Sequence, residues 1–180
     1  MAALQDNVHQ SWFGPVRQIA YVVRDLDASV RHWLRHTGIG PWTCFRNAVL
    51  EGRFLGRPVT VAIDVALGYQ GELEIELIQP RGSGTPYHDD AGRPLVGMHH
   101  IASFTDDLER AVAMARERGL APRFEATNPV TRVAYLESPD EPGVLFELIQ
   151  YSAEGLAGWR QRVEAARTWD GSDPIRTIDL

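Results

Sequence analysis

Two segments of the chain carry apolar residues at helical spacing. Around them lie short runs of β-branched and aromatic residues bounded by Gly, Pro, Asn and Asp. Val30, Trp33 and Leu34 predict a helix from Leu26 or Asp27 to Thr37, and Leu108, Val112 and Ala115 predict a second over 106–118. A glycine follows each helix, at Gly38 and Gly119, where a left-handed terminus favours it. Asp25 and Asp107 stand just before the helices and read as N-terminal capping acids. Strands are expected near 16–23, 41–48, 58–67 and 72–79, then near 98–104, 121–127, 131–137 and 144–150. The order strand, helix, strand, strand, strand thus occurs twice.

The two copies are similar in sequence as well as in pattern. "QIAYVVRDLDASV" (18–30) aligns without a gap with "HIASFTDDLERAV" (100–112), 82 residues later, matching Ile19 to Ile101 and Ala20 to Ala102. Each copy closes on the tetrapeptide ELIQ, in "IELIQP" (75–80) and "FELIQY" (146–151). We divide the chain into one domain over 1–151, with module one at about 15–80 and module two at about 97–151. "RGSGTPYHDDAGRP" (81–94) is the linker between them. Residues 152–180 fall outside the repeat. There "AEGLAGWRQRVEAARTW" predicts an amphipathic helix with Leu156, Trp159 and Val163 on one face, followed by an extended tail. Such an extension is expected to pack on its own domain or on a dimer partner.

Composition removes much familiar chemistry. All 18 basic residues of the 180 are arginine, so no lysine is present for a Schiff base or a P-loop. A single cysteine, Cys44, excludes an internal disulfide and any CxxC motif. The net charge of −6 argues against a nucleic-acid partner. No apolar stretch approaches the roughly 18 residues of a membrane span, and the opening "MAALQDNVHQSWFGP" has no secretory pattern, so a cytoplasmic location is expected.

Carboxylates and histidines remain. Glu147 has Leu145 and Ile149 on its own face of a strand and Phe146 and Leu148 on the other. Burying it unpaired would cost several kcal/mol, so it needs a cation, a donor or a proton. Glu72, Glu74 and Glu76 share a face in "LEIELIQ", which looks like a solvated face, opposite Leu73, Ile75 and Leu77. Adjacent His99 and His100 are expected to point to opposite faces, and the repeat register selects His100, which sits where Gln18 sits. His9, His32, His36 and His88 fall in expected tail, helix or linker and read as surface residues. Trp42, Phe45, Phe54, Tyr69 and Tyr135 are candidates to line a cavity or pack a core.

A doubled βαβββ unit with a carboxylate in each final strand resembles the vicinal oxygen chelate superfamily over residues 15–151. Within it, "MHHIASFTDDLERAVAMARERG" and "AYLESPDEPGVLFELIQ" are similar to the second module of the glyoxalase I and methylmalonyl-CoA epimerase branch. The resemblance implies an α+β fold in which the paired modules form a half-barrel sheet around a metal and substrate cavity, with the C-terminal helix added. It further implies that Gln18, Glu76, His100 and Glu147 hold one divalent ion, and that the protein is a homodimer. The epimerases have histidine at the first position; the set Gln, Glu, His, Glu resembles the eukaryotic type of glyoxalase I. Four such donors suit Zn, Co, Ni, Mn or Fe, and sequence does not choose among them.

The function expected is a metal-dependent isomerase, epimerase or lyase of the glyoxalase type. The metal stabilises charge on a carbonyl or enediolate oxygen, and a glutamate, Glu147 or secondarily Glu76, removes the neighbouring proton. A second acid has only weak candidates, Glu51 and Asp64. The substrate is a small carbonyl compound, a thioester or an aromatic, and Arg46, Arg53, Arg57 and Arg132 are available for an anionic conjugate. Two alternatives stay open: a metal-free small-molecule binding protein of the same fold, and an iron-dependent extradiol-type dioxygenase, for which two histidines would be required.

Overall fold

The computed structural model describes residues 11–140 and 143–180; His9 lies outside them. Module one runs β1 (Val16–Val22), α1 (Leu26–Thr37), β2 (Trp42–Phe54), β3 (Arg57–Gln70) and β4 (Leu73–Arg81). Module two runs β5 (Gly97–Phe104), α2 (Leu108–Glu117), β6 (Ala121–Thr127), β7 (Thr131–Glu137) and β8 (Leu145–Tyr151). The helix α3 (Ala153–Arg167) and the strand β9 (Ile175–Asp179) follow. Among the described residues, no helix is long and apolar enough to cross a membrane.

The eight module strands lie in the order β3-β4-β1-β5-β8-β7-β6-β2, and β2 pairs back onto β3, so the two half-barrels close into a barrel. They meet at two seams. At the first, β1 and β5 run antiparallel with the equivalent residues Ile19 and Ile101 directly opposite. At the second, Glu51–Phe54 of β2 pair with Phe124–Thr127 of β6. Gly52 permits that approach: a Cβ there would overlap the Glu125 carbonyl oxygen and lie 2.8 Å from the Ala126 Cα.

The second seam exists because β2 continues past the end expected near residue 48. One extra residue sits between Phe45 and Ala48 relative to Val65 and Ile63, a bulge at which Asn47 takes φ 58°. The bulge resets the alternation, so that Ala48, Leu50 and Phe54 pack against the barrel core. The tail, expected to be extended, becomes a ninth strand, β9, parallel to Trp42–Arg46 of β2.

Three apolar layers hold the molecule. The barrel interior contains Ala20, Val65, Phe124, Tyr135 and Ile149, with Trp159 of α3 joining them. Outside the barrel, α1 covers Ile75 and Leu77 with Leu26 and Val30, and α2 covers Leu136 and Leu148 with Leu108 and Val112. Asp25 and Asp107 cap the helices as expected, each accepting at 2.9 Å, from Ala28 N and Arg110 N. Gly38 has φ 70° in the left-handed region.

The second polar residue of ELIQ also has a role. Gln79 and Gln150 face outward, and their Oε1 atoms accept from the first N–H groups of α1 and α2, at 2.8 Å from Leu26 N and 3.3 Å from Leu108 N. The tetrapeptide therefore recurs for two reasons: its glutamate turns inward, and its glutamine ties the module's helix to the sheet.

Candidate functional site

β4, β1, β5 and β8 are neighbours in the sheet, and each presents one of the four expected residues to the barrel interior. Ala20 lies between Glu76 on β4 and His100 on β5, and its repeat equivalent Ala102 lies between Gln18 on β1 and Glu147 on β8. Small residues at these two positions leave room for the four larger ones. Gln18, His100 and Glu147 are 3%, 0% and 5% exposed, whereas the Glu76 side chain retains 16%.

The four side chains converge on His100 Nε2. Gln18 Oε1 lies at 3.1 Å in hydrogen-bond alignment, Glu147 Oε2 at 3.0 Å and Glu76 Oε2 at 3.4 Å. The Glu147 contact is an ion-pair distance off the N–H direction, and Oε2 is buried without a hydrogen-bond partner. On the far side, Gln18 Nε2 donates to Glu74 Oε1 at 2.6 Å, and the Tyr69 hydroxyl donates to Glu74 Oε2. Arg162 Nε of α3 donates to the Tyr69 oxygen at 2.8 Å.

The hydrogen bonds decide where the protons sit. His99 Nε2 faces the Pro86 carbonyl at 3.0 Å and therefore carries a hydrogen. Burial, followed by the charge of His100, lowers the His99 pKa to about 3, so the ring is neutral and its Nδ1 is an acceptor. The His100 Nδ1 that meets it at 2.9 Å must be a donor, and Nε2 donates to Gln18. Both nitrogens of His100 are thus protonated. The electrostatics agree: burial opposes the charge, but Glu147 and Glu76 outweigh it and push His100 up to about 9. Burial raises the carboxyls of Glu74 and Glu76 above their ordinary range.

These donors fit a divalent ion in type and number. Glu147 Oε2 supplies an acceptor without a hydrogen-bond partner among the described residues. The side chains are nevertheless joined by ion pairs and hydrogen bonds, and among the described residues no group of three or more His, Cys, Asp or Glu is arranged as a metal cage.

The sequence profile of the Glyoxalase/Bleomycin resistance protein/Dioxygenase superfamily matches residues 17–135. The chain belongs to that superfamily. Solved structures with the same fold include a methylmalonyl-CoA epimerase of Mycobacterium tuberculosis, at 19% identity and TM-score 0.56 over 87% of this chain and 97% of that one. A hypothetical protein of Bacillus halodurans follows at 19% and 0.52, over 77% and 94%. A variant of the Streptomyces coelicolor methylmalonyl-CoA epimerase bound to 2-nitronate-propionyl-CoA gives 22% and 0.51, over 77% and 94%. No curated protein matches the sequence significantly.

On this superfamily barrel several sequence expectations change. Glu74 and Glu76 do not lie on a solvated face: it is the barrel interior, where Glu74 is buried and Glu76 keeps only 16% of its side chain exposed, whereas the Glu72 side chain is 63% exposed. His99 does not point away from His100. A register shift opposite Ala20 and Tyr21 makes it the extra residue of a bulge, and both rings are buried side by side. Asp64 and Glu51 cannot act as a second acid. Asp64 faces outward beneath α1, held by Arg81, Arg46 and the Asn47 N–H, and exposed Glu51 accepts from Thr60.

The linker is no simple surface connector either, since Thr85, Tyr87 and His88 are buried and the Tyr87 hydroxyl meets that of Tyr135 at 2.8 Å. Of the candidate aromatics, Phe45, Phe54, Tyr69 and Tyr135 belong to the barrel core, while Trp42 lies under α1. Arg46 pairs with Asp27 and Asp64, and Arg132 with Glu109. Sequence reasoning missed Glu74 as a site residue, although alternation puts it on the face of Glu76. Arg162 gave no signal beyond its place three residues after Trp159.

Proposed function

We propose that the barrel centre holds one divalent metal ion and that the protein is an isomerase, epimerase or lyase moving a proton next to a substrate carbonyl. Gln18, Glu76, His100 and Glu147 are the residues that would hold the ion, with Zn, Co, Ni, Mn and Fe as the candidates. Bound there, the ion would supply Lewis-acid stabilisation of negative charge on the substrate. As a ligand His100 would be neutral, its Nε2 proton released to solvent on ion binding. Glu147 is the base: its Oε2 accepts the proton from the carbon beside the carbonyl and returns it to the same or a neighbouring atom. Glu76, more open to solvent and raised by burial, is available as a second base.

The observation that carries this is the Glu147 Oε2 atom, buried, without a hydrogen-bond partner and 3.0 Å from His100 Nε2. Small carbonyl compounds, thioesters and aromatic substrates are the classes to screen, and the solved epimerases of this fold make coenzyme A thioesters the first choice.

Elemental analysis of untagged protein, before and after chelation, tests the site, and turnover of Glu147→Gln tests the base. About one ion per chain, lost in His100→Ala, and a folded Glu147→Gln without turnover are expected. Normal turnover in Glu147→Gln would remove its role.

A metal-free binding protein is the second reading, supported by the fact that Gln18, Glu74 and His100 already satisfy one another. The dioxygenase reading loses ground because His99, the imidazole beside His100 among the described residues, has both nitrogens engaged. We also propose a cytoplasmic homodimer. Free Cys44 is buried, and Val16, Met98 and Phe146 expose apolar surface on the outside of the first seam. Light scattering on the purified chain decides between monomer and dimer.

A further inference from the structure

The helix α3 lies outside the repeat, yet it reaches the site. Trp159 is buried in the barrel core, and Leu156 and Val163 pack against that core. On the same side of the helix, half-buried Arg162 enters between the rings of Phe45 and Tyr69, its guanidinium carbon 5.8 Å and 6.0 Å from their centroids. From there Nε donates to the Tyr69 hydroxyl.

A continuous chain of hydrogen bonds runs on from that one to Gln18. An arginine can only donate, so the Tyr69 oxygen is its acceptor, and the single hydroxyl hydrogen is left for Glu74 Oε2. Glu74 is thereby held in place at Oε2, and its Oε1 takes the NH2 group of Gln18. The Gln18 amide then has one acceptable orientation. Turned over, its carbonyl would face the Glu74 oxygen that now takes its NH2 group. In the orientation present, Gln18 Oε1 is aimed at His100 Nε2, among the proposed ligands.

We propose that Arg162 is a positioning residue. Acting through Tyr69 and Glu74, it fixes the orientation of the Gln18 amide, so the C-terminal helix completes the site that the two modules build. The consequence for ion binding rests on the metal-site reading above; the orientation of the amide does not. The ligand whose geometry is set is the one whose neutral amide could otherwise turn either way.

The test uses the full chain with Arg162→Leu, Arg162→Lys and Tyr69→Phe, the last removing one oxygen and keeping its ring in the core. Two quantities are measured: the side-chain NH2 resonances of Gln18 in metal-free protein by 15N NMR, and Co2+ binding by calorimetry. The Gln18 resonances are expected to shift in Arg162→Leu and Tyr69→Phe and to return toward wild type in Arg162→Lys. The Co2+ dissociation constant is expected to rise about 10–100-fold in the first two at unchanged stoichiometry, with Arg162→Lys between. Gln18 resonances that stay in place in folded Tyr69→Phe and Arg162→Leu would overturn the positioning role. A wild-type chain that takes up no Co2+ while its variants move Gln18 would overturn the metal site and leave Arg162 in its role.

Discussion

Three buried carboxylates in this chain meet three different fates, and each is set by a few neighbours. Asp64 sits among arginines, Glu74 receives two uncharged donors, and Glu147 has an oxygen 3.0 Å from His100 Nε2 with no hydrogen-bond partner among the described residues. The last arrangement is the one that leaves a carboxylate able to take a proton or an ion. Asp64 gives a structural contrast. Burial alone would raise its carboxyl, but Arg81, the Asn47 N–H and Arg46 outweigh burial and hold it below its ordinary 3.8. A lowered folded pKa contributes stability above the unfolded value, lost as pH falls through the folded one. Asp64→Asn should therefore cost about 2 kcal/mol at pH 7, discounted because Arg81 is half exposed, and the gap should close below pH 3.8. Urea midpoints at pH 7 and pH 3 check it, and an equal gap at both would show that packing, not charge, holds the residue.

Elements join here through single permissive residues. β2 reaches β6 only because Gly52 has no side chain, and the barrel closes at that point. Gly52→Ala forces two backbones apart, at a cost of about 3 kcal/mol, and amide exchange should quicken in Glu51–Phe54 and Phe124–Thr127 together. Exchange unchanged in both segments would mean that the seam is not held by that contact. The sequence foretold the helices well, because Asp25 and Gly38 are local signals that need no tertiary partner. It ended β2 too early because the bulge at Asn47 breaks the alternation on which strand limits are read.

For the whole molecule, the four proposed ligands come from four strands and two modules, so an ion bound at the centre would tie both halves of the barrel together. Saturating ion at 100 times its dissociation constant adds about 2.7 kcal/mol to the stability of the folded chain. For a chain of this length that corresponds to a rise of roughly 5–10 °C in Tm. Thermal melts of chelated protein with added Zn, Co, Ni, Mn or Fe should show the rise, and His100→Ala should abolish it. Melts that none of these ions moves would favour the metal-free binding reading.

The sequence by itself determined the doubled βαβββ order, the helix caps and the candidacy of Glu147, because repeats, capping residues and an acid between apolar neighbours are all local facts. The resemblance to the superfamily named Gln18, Glu76, His100 and Glu147, in agreement with a repeat register that pairs Gln18 with His100 and Glu76 with Glu147, and these side chains meet at His100 Nε2. Tertiary structure alone decided which face of "LEIELIQ" is inside. Alternation separates two faces but does not say which is wet; only closure of the barrel makes the acidic face the buried one. The partnership of His99 with His100 depended on a bulge, and that of Arg162 with Gln18 on a helix docking across 144 residues of chain, and neither leaves a periodic trace in sequence.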